Sequence, residues 1–320
     1  MSVIGKKKVL FHILTLSLLT GGVYTFQSCK TKGSNPHANG GNSYSLPQLP
    51  SMITDEQGAK EYLMLNYWDN FDFADTSLLG KDSTEIFFSR YISLLDGSEA
   101  AQNGLDSFLT KITSSVGNQY YYISLFQKYF DHPNSPVRDE SRYIEVLQRF
   151  LLQKGVDSLL YARCSGDLQM ALKNRPGDMA EDIPLLIKGQ GREKKSSLYN
   201  VDGEYLLLYF NNPDCYECAR TTAFLTDGIG ELLDSVGVKI LSVYTGEDAQ
   251  LWRQTIYPNS WICGYDYTRA VDNLGVYHLK AIPTIYLLDS SKRVILKDCT
   301  PDRLFEFLSG YEDRTPNKKG

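Results

Sequence analysis

The 320-residue chain predicts an all-α domain followed by an α/β domain built on a buried sheet. Three observations carry that expectation. The periodicity is helical from about Asp55 to Asn174; it gives way near Tyr205 to short apolar runs alternating with helical patterns; and a Cys-x-x-Cys pair, Cys215 and Cys218, stands where the first of those runs hands over to a helix. With 42% hydrophobic and 12% aromatic residues, the chain can bury cores for about two domains. A net charge of −5 and a pI near 5.5, without a basic stripe, argue against a nucleic-acid partner.

At the N-terminus, Lys6-Lys7-Lys8 precede an apolar run, Val9 to Val23, interrupted by His12, Thr15 and Ser17, which is the pattern of a secretory signal. With Ser28-Cys29 at its end the segment resembles a bacterial lipoprotein signal. That resemblance implies that Cys29 is lipidated and becomes the first mature residue, although Phe26 and Gln27 depart from the usual aliphatic and small residues. The alternative is an uncleaved anchor, since Val9 to Gln27 is just long enough to span a bilayer. Both place the remainder outside the cytoplasm, on the periplasmic or cell-envelope side of a membrane of Gram-negative type. Residues 1–28 are thus expected as signal peptide. Residues 29–54 are expected as a tether, flexible from Lys30 to Ser51 by its Gly, Asn, Ser and Pro content.

Residues 55–175 are expected to form the helical domain, of five or six helices. Leu105, Phe108, Leu109, Ile112 and Val116 share one face, as do Tyr122, Leu125, Phe126 and Tyr129, and again Tyr143, Val146, Leu147, Phe150 and Leu151. The aromatic segment Tyr67-Trp68-Asp69-Asn70-Phe71-Asp72-Phe73 reads as core and rim, with a recognition surface as the alternative. Cys164 shares a face with Leu160, Leu168 and Ala171 and is expected to be a buried, inert thiol.

Arg175 to Asn200 reads as a linker passing into an edge hairpin, its charge run Arg192 to Lys195 as a solvated turn. Tyr205 onward is a buried strand ended by Asn211-Asn212-Pro213, followed by a helix over Ala219 to Leu233. Val238 to Tyr244 is a second buried strand. A helix at Asp248 to Trp252, a strand at Trp261 to Gly264 and a helix at Arg269 to Leu274 follow. Pro283 leads into an apolar strand, where no ladder donor is lost. A turn at Asp289 to Lys292, a strand over Val294 to Leu296 and a helix from Pro301 to Leu308 close the domain, and residues 313–320 are expected as a disordered tail.

Two cysteines three apart on the first turn of a helix can close a small, reducible disulfide, and the unpaired N–H groups there favour a thiolate. Strand, Cys-x-x-Cys, helix, strand, Ile282-Pro283-Thr284 strand, hairpin and helix together resemble the thioredoxin superfamily over about Met179 to Tyr311, so the predicted fold is an α/β thioredoxin-like domain at residues 176–312. Gly177 to Ile183 and the 65-residue interval from Cys218 to Pro283 are similar to its TlpA/ResA-like, membrane-anchored branch. Tyr67 to Phe73 and His132-Pro133-Asn134-Ser135-Pro136-Val137-Arg138 resemble a domain of unknown function that precedes thioredoxin modules in lipoproteins of some Gram-negative bacteria; no activity comes with that part.

The resemblance implies a cis Pro283 lying against the cysteines. Cys215 would be the attacking thiolate and Cys218 the resolving thiol, with Ile282 and Pro283 offering backbone to an extended substrate segment. The sequence departs from the family where no Trp precedes Cys215, where no Pro precedes Cys218, and where Tyr209 replaces a buried acid. Glu217 or water is left to handle the Cys218 proton. Asp214 and Glu217 bracket Cys215 and oppose its ionisation, while the helix dipole favours it. These effects are of similar size, so the couple is expected nearer ~ −270 than ~ −120 mV, that of a reductant.

Three other uses of the pair remain. Zinc needs further Cys or His ligands, and His132 and His278 are the only histidines in the folded region. A peroxidase of the peroxiredoxin kind needs Thr where Asn212 stands. A passive disulfide would make the protein a tethered binding or scaffold module. The expectation is a membrane-tethered extracytoplasmic thiol:disulfide oxidoreductase. It would use no cofactor or metal beyond its own Cys215–Cys218 disulfide, act on protein thiols and disulfides, and be recharged by a membrane electron donor. Whether Cys263 and Cys299 pair is not legible in the sequence.

Overall fold

The computed structural model describes residues 44–189 and 191–312. The signal segment, Cys29, most of the tether and the 313–320 tail lie outside the described residues. Six α-helices lie between residues 56 and 171: α1 Glu56–Asn66, α2 Asp82–Ile92, α3 Glu99–Ile112, α4 Val116–Phe126, α5 Glu140–Leu151 and α6 Ser158–Ala171. Side-chain oxygens start five of them. Asp55, Ser98, Ser115, Asp139 and Asp157 each accept an N–H from the first turn that has no partner within the helix.

The aromatic segment is core. Tyr67, Trp68 and Phe71 are buried, and Trp68 stacks on Phe108 of α3 with ring centroids 4.6 Å apart. Close approach of α1 and α3 depends on Gly104, where a Cβ would stand 2.4 Å from the Met64 carbonyl oxygen. Val116 departs from expectation. The Ser115 cap starts a new helix there, so Val116 leaves the face of α3 and is 54% exposed. The end of the expected tether also departs from a free chain. Tyr44 packs its ring on Phe71 and Phe87 and bonds to Thr84, giving the only aromatic of that polar stretch apolar surface to bury.

The α/β part contains seven strands: β1 Pro184–Lys188, β2 Glu193–Ser197, β3 Tyr205–Asn211, β4 Val238–Tyr244, β5 Ile262–Tyr265, β6 Thr284–Asp289 and β7 Val294–Leu296. They form one sheet in the order β2-β1-β5-β4-β3-β6-β7. Central β3 is parallel to β4 and antiparallel to β6. Its run from Tyr205 to Phe210 is apolar and aromatic because both faces are covered. Leu206, Leu208 and Phe210 pack with Ile183, Leu185 and Tyr286, whereas Leu207 and Tyr209 pack with Leu225, Leu233, Leu304 and Leu308.

The helix expected over Ala219 to Leu233 is broken. α7 Tyr216–Ala223 passes into a π-turn at Phe224–Gly228, and α8 Gly230–Val236 resumes on the same face. α9 Ala249–Gln254, α10 Ala270–Asn273 and α11 Pro301–Glu312 complete the layers. The charge run also differs from a solvated turn. Glu193 to Lys195 form the exposed start of edge strand β2, and Glu193 pairs with Arg253 at 2.5 Å. Charged residues on an edge strand blunt its unpaired ladder.

A buried ionic network joins the helical part to the sheet part. Glu140, at the start of α5, bonds Lys280 and Lys297, each at 2.9 Å. Lys280 also pairs with Asp131, and Arg138 with Asp298. The two lysine side chains are only 5% and 4% exposed. Burial raises the Glu140 carboxyl, but Lys280 and Lys297 outweigh it and hold the group below its ordinary range. Lys297 moves the other way: burial lowers it more than Glu140 and the neighbouring Asp298 raise it. The asymmetry follows from the neighbours: Glu140 has a cation on either side, whereas Lys297 is repelled by Lys280.

Candidate functional site

Polar Asn212, Pro213 and Asp214 end β3, and the chain turns directly into α7 with Cys215 as its N-cap. The Cys215 sulfur accepts the Cys218 N–H at 3.2 Å, and its thiol donates toward the Ile282 carbonyl at 3.6 Å. Cys215 is half-buried. One turn on, Cys218 is 3% exposed, and its sulfur accepts the Asn212 N–H at 3.5 Å. Both are free thiols. The Ile282–Pro283 peptide bond is cis. The contacts of Cys215 bring four of the expected site residues, Cys215, Cys218, Ile282 and Pro283, to one place.

The two flanking acids differ. Asp214 is exposed, and its backbone N–H donates to Asn212 Oδ1 at 3.1 Å. Glu217 pairs with Arg220 at 3.1 Å, both groups standing in solvent. That pairing offsets part of the negative charge beside Cys215. It also keeps Glu217 on the open side of α7, away from the buried Cys218 sulfur.

Behind the cysteines lies a polar patch that the sequence analysis did not anticipate. Tyr209 donates its hydroxyl to the Cys218 carbonyl at 2.8 Å. Asn211 Nδ2 donates to Ser242 Oγ at 2.6 Å, and the Tyr257 hydroxyl to Asn211 Oδ1 at 3.4 Å. The available signal was Asn211 and Ser242 themselves, polar residues within otherwise apolar strands. Burial raises Tyr209 and Tyr257, so both stay protonated and uncharged at neutral pH.

Burial likewise pushes the Cys218 thiol well above its ordinary range, more than the Asn212 N–H bond draws it down. A thiol with a raised value is mostly protonated at neutral pH, and its thiolate fraction grows tenfold per pH unit until that value is passed. Any step in which Cys218 attacks a disulfide should therefore speed up about 100-fold between about pH 6 and about pH 8. Rapid acid quenching of the mixed disulfide at each pH reads that rate directly; a flat profile would place attack elsewhere.

Of the other described cysteines, Cys299 lines a groove beside Ile282 and Pro283, whereas Cys164 and Cys263 do not. Cys164 is buried in the helical core, where burial pushes its thiol up to about 11. Cys263 and Cys299 are free thiols. Among the described residues no group of three or more His, Cys, Asp or Glu is placed to hold a metal ion.

Comparison with known proteins adds to this geometry. Residues 24–174 match the Domain of unknown function (DUF5106). A thioredoxin-like protein from Bacteroides caccae is 32% identical, with 84% of this chain and 99% of that one covered and a TM-score of 0.72. The C-terminal domain of a Bacteroides fragilis protein is 34% identical over 42% of this chain and 98% of its own, with a TM-score of 0.39. A domain of a possible thiol-disulfide isomerase from Cytophaga hutchinsonii is 23% identical over 45% of this chain and 97% of its own, also at 0.39. No curated protein matches.

Proposed function

This chain belongs to the thioredoxin-like family, and from that premise we propose that it is a membrane-tethered, extracytoplasmic thiol:disulfide oxidoreductase that reduces protein disulfides. One observation carries the reading: Cys215 caps α7 half-exposed against Ile282, while Cys218 lies buried one turn behind it. The Cys215 thiolate attacks one sulfur of a substrate disulfide. That bond breaks, a mixed disulfide forms, and the second substrate sulfur leaves as a thiolate that takes up a proton. Cys218, deprotonated, then attacks the Cys215 sulfur. The remaining substrate thiol departs and a Cys215–Cys218 disulfide forms, so that two electrons have passed to the substrate. A dithiol donor at the membrane must return them.

Domain boundaries near 175/176 and lipidation at Cys29 belong to the same proposal, and place the site on the periplasmic or envelope side. The helix N-terminus favours the thiolate. Asp214, and Glu217 as far as Arg220 leaves it uncompensated, oppose ionisation. Equilibration of the Cys215–Cys218 couple with glutathione buffers tests the direction of transfer. A potential near ~ −270 mV is expected for the reductant; one above about −160 mV would make the protein an oxidase or isomerase instead.

A further inference from the structure

Beside the cysteines a groove of about 510 Å³ runs along the Ile282–Pro283 segment, and part of its lining comes from the helical part. Pro133, Asn134 and Arg138, from the loop between α4 and α5, line it together with Phe224, Ile282 and Pro283. Two fixtures hold this loop in place. Arg138 pairs with Asp298 across the boundary, with both side chains largely buried, and Lys280, two residues before Ile282, is tied to Asp131 and Glu140.

The groove's charges are mostly spent on one another. Arg138 is taken by Asp298 and Arg220 by Glu217. Asp302, exposed in the first turn of α11, lines the same groove and has no ion-pair partner among the described residues. Walls whose other charges are paired, with one uncompensated carboxylate, suit an uncharged or basic extended segment, and disfavour an acidic one.

We propose that the Pro133–Arg138 loop is a specificity-determining element for the reaction at Cys215. It receives the polypeptide flanking the reactive cysteine of a substrate protein, and Asp302 selects basic over acidic residues there. The helical part is thereby assigned a share in substrate choice, and the inference rests on the oxidoreductase reading above. A substrate too small to leave the Cys215 end of the groove does not feel the loop; a peptide disulfide does.

The test uses the full chain with dithiothreitol as electron donor. Its substrates are 2-hydroxyethyl disulfide and two cystine peptides that differ only in Lys or Glu beside the cystine. Asn134 is exposed and lines the groove, so Asn134→Trp adds bulk there without disturbing a core. It should lower kcat/KM for the Lys peptide about tenfold or more relative to that for 2-hydroxyethyl disulfide. Asp302→Lys should reverse the order of the two peptides. An unmoved ratio together with an unmoved peptide order, in a protein that still reduces all three substrates, overturns this inference alone. Wild-type protein that reduces none of them overturns the oxidoreductase reading and this inference with it.

Discussion

Replacing Glu140 by Ala is expected to remove about 3–5 kcal/mol of stability at neutral pH, read from urea denaturation of the wild-type and variant chains. Lys297 then loses its ion-pair carboxylate and Lys280 one of the two it has among the described residues, although both ammonium groups stay almost fully buried. An unpaired buried cation must be desolvated without return, which is why breaking one side of such a pair destabilises more than the intact pair stabilises. The sign with pH follows from Glu140. Its folded value lies below the ordinary 4.5, so its contribution is present above that value and is lost as pH falls through the depressed folded value. The gap between wild type and Glu140→Ala should therefore close in acid. A gap within about 0.5 kcal/mol at pH 7, the scale of an ordinary surface substitution, would mean that water reaches these lysines and that the two parts are not locked together.

The same network shows where sequence stopped informing. Tyr205 to Phe210 was legible as a buried strand, because a run of apolar residues with β-propensity ending in Asn-Asn-Pro has few other solutions. Cys215 and Cys218 were legible as a helix-start pair, because the spacing and the break are local. His132 to Arg138 could be read only as a resemblance that brought no activity with it. Their meaning lies in pairings such as Arg138 with Asp298, 160 positions away, and no periodicity reports a partner at that distance. The break in the helix after Cys218 was missed because Leu225, Ile229 and Leu233 keep their face across the π-turn at Phe224–Gly228; the apolar pattern continues although the hydrogen-bond ladder shifts. Val116 was misplaced for the converse reason, a continuous apolar pattern crossing a Ser115 cap. Asn211 and Ser242 were visible as polar residues in strands, but that they lie behind Cys218 depends on the register of β3 with β4.

The largest effect expected on activity comes from the two cysteines themselves. Cys215→Ser should abolish reduction of insulin disulfides, since a serine hydroxyl at the same cap can accept the Cys218 N–H but cannot form the mixed disulfide. Cys218→Ala should fail differently. Attack by Cys215 remains possible, but no buried thiol is left to resolve the intermediate, so substrate accumulates bound to the protein. The fold should tolerate both changes, because Cys215 is half-exposed and Cys218→Ala removes a single sulfur.

Mass spectrometry of the Cys218→Ala chain after incubation with a disulfide-bonded protein, reduced and non-reduced peptides compared, tests the central claim most directly. A substrate peptide linked through Cys215, and no such adduct in the Cys215→Ser chain, is the result expected. An adduct formed through Cys218 when Cys215 is absent, or none in either variant, would contradict the assignment of Cys215 as the attacking thiolate.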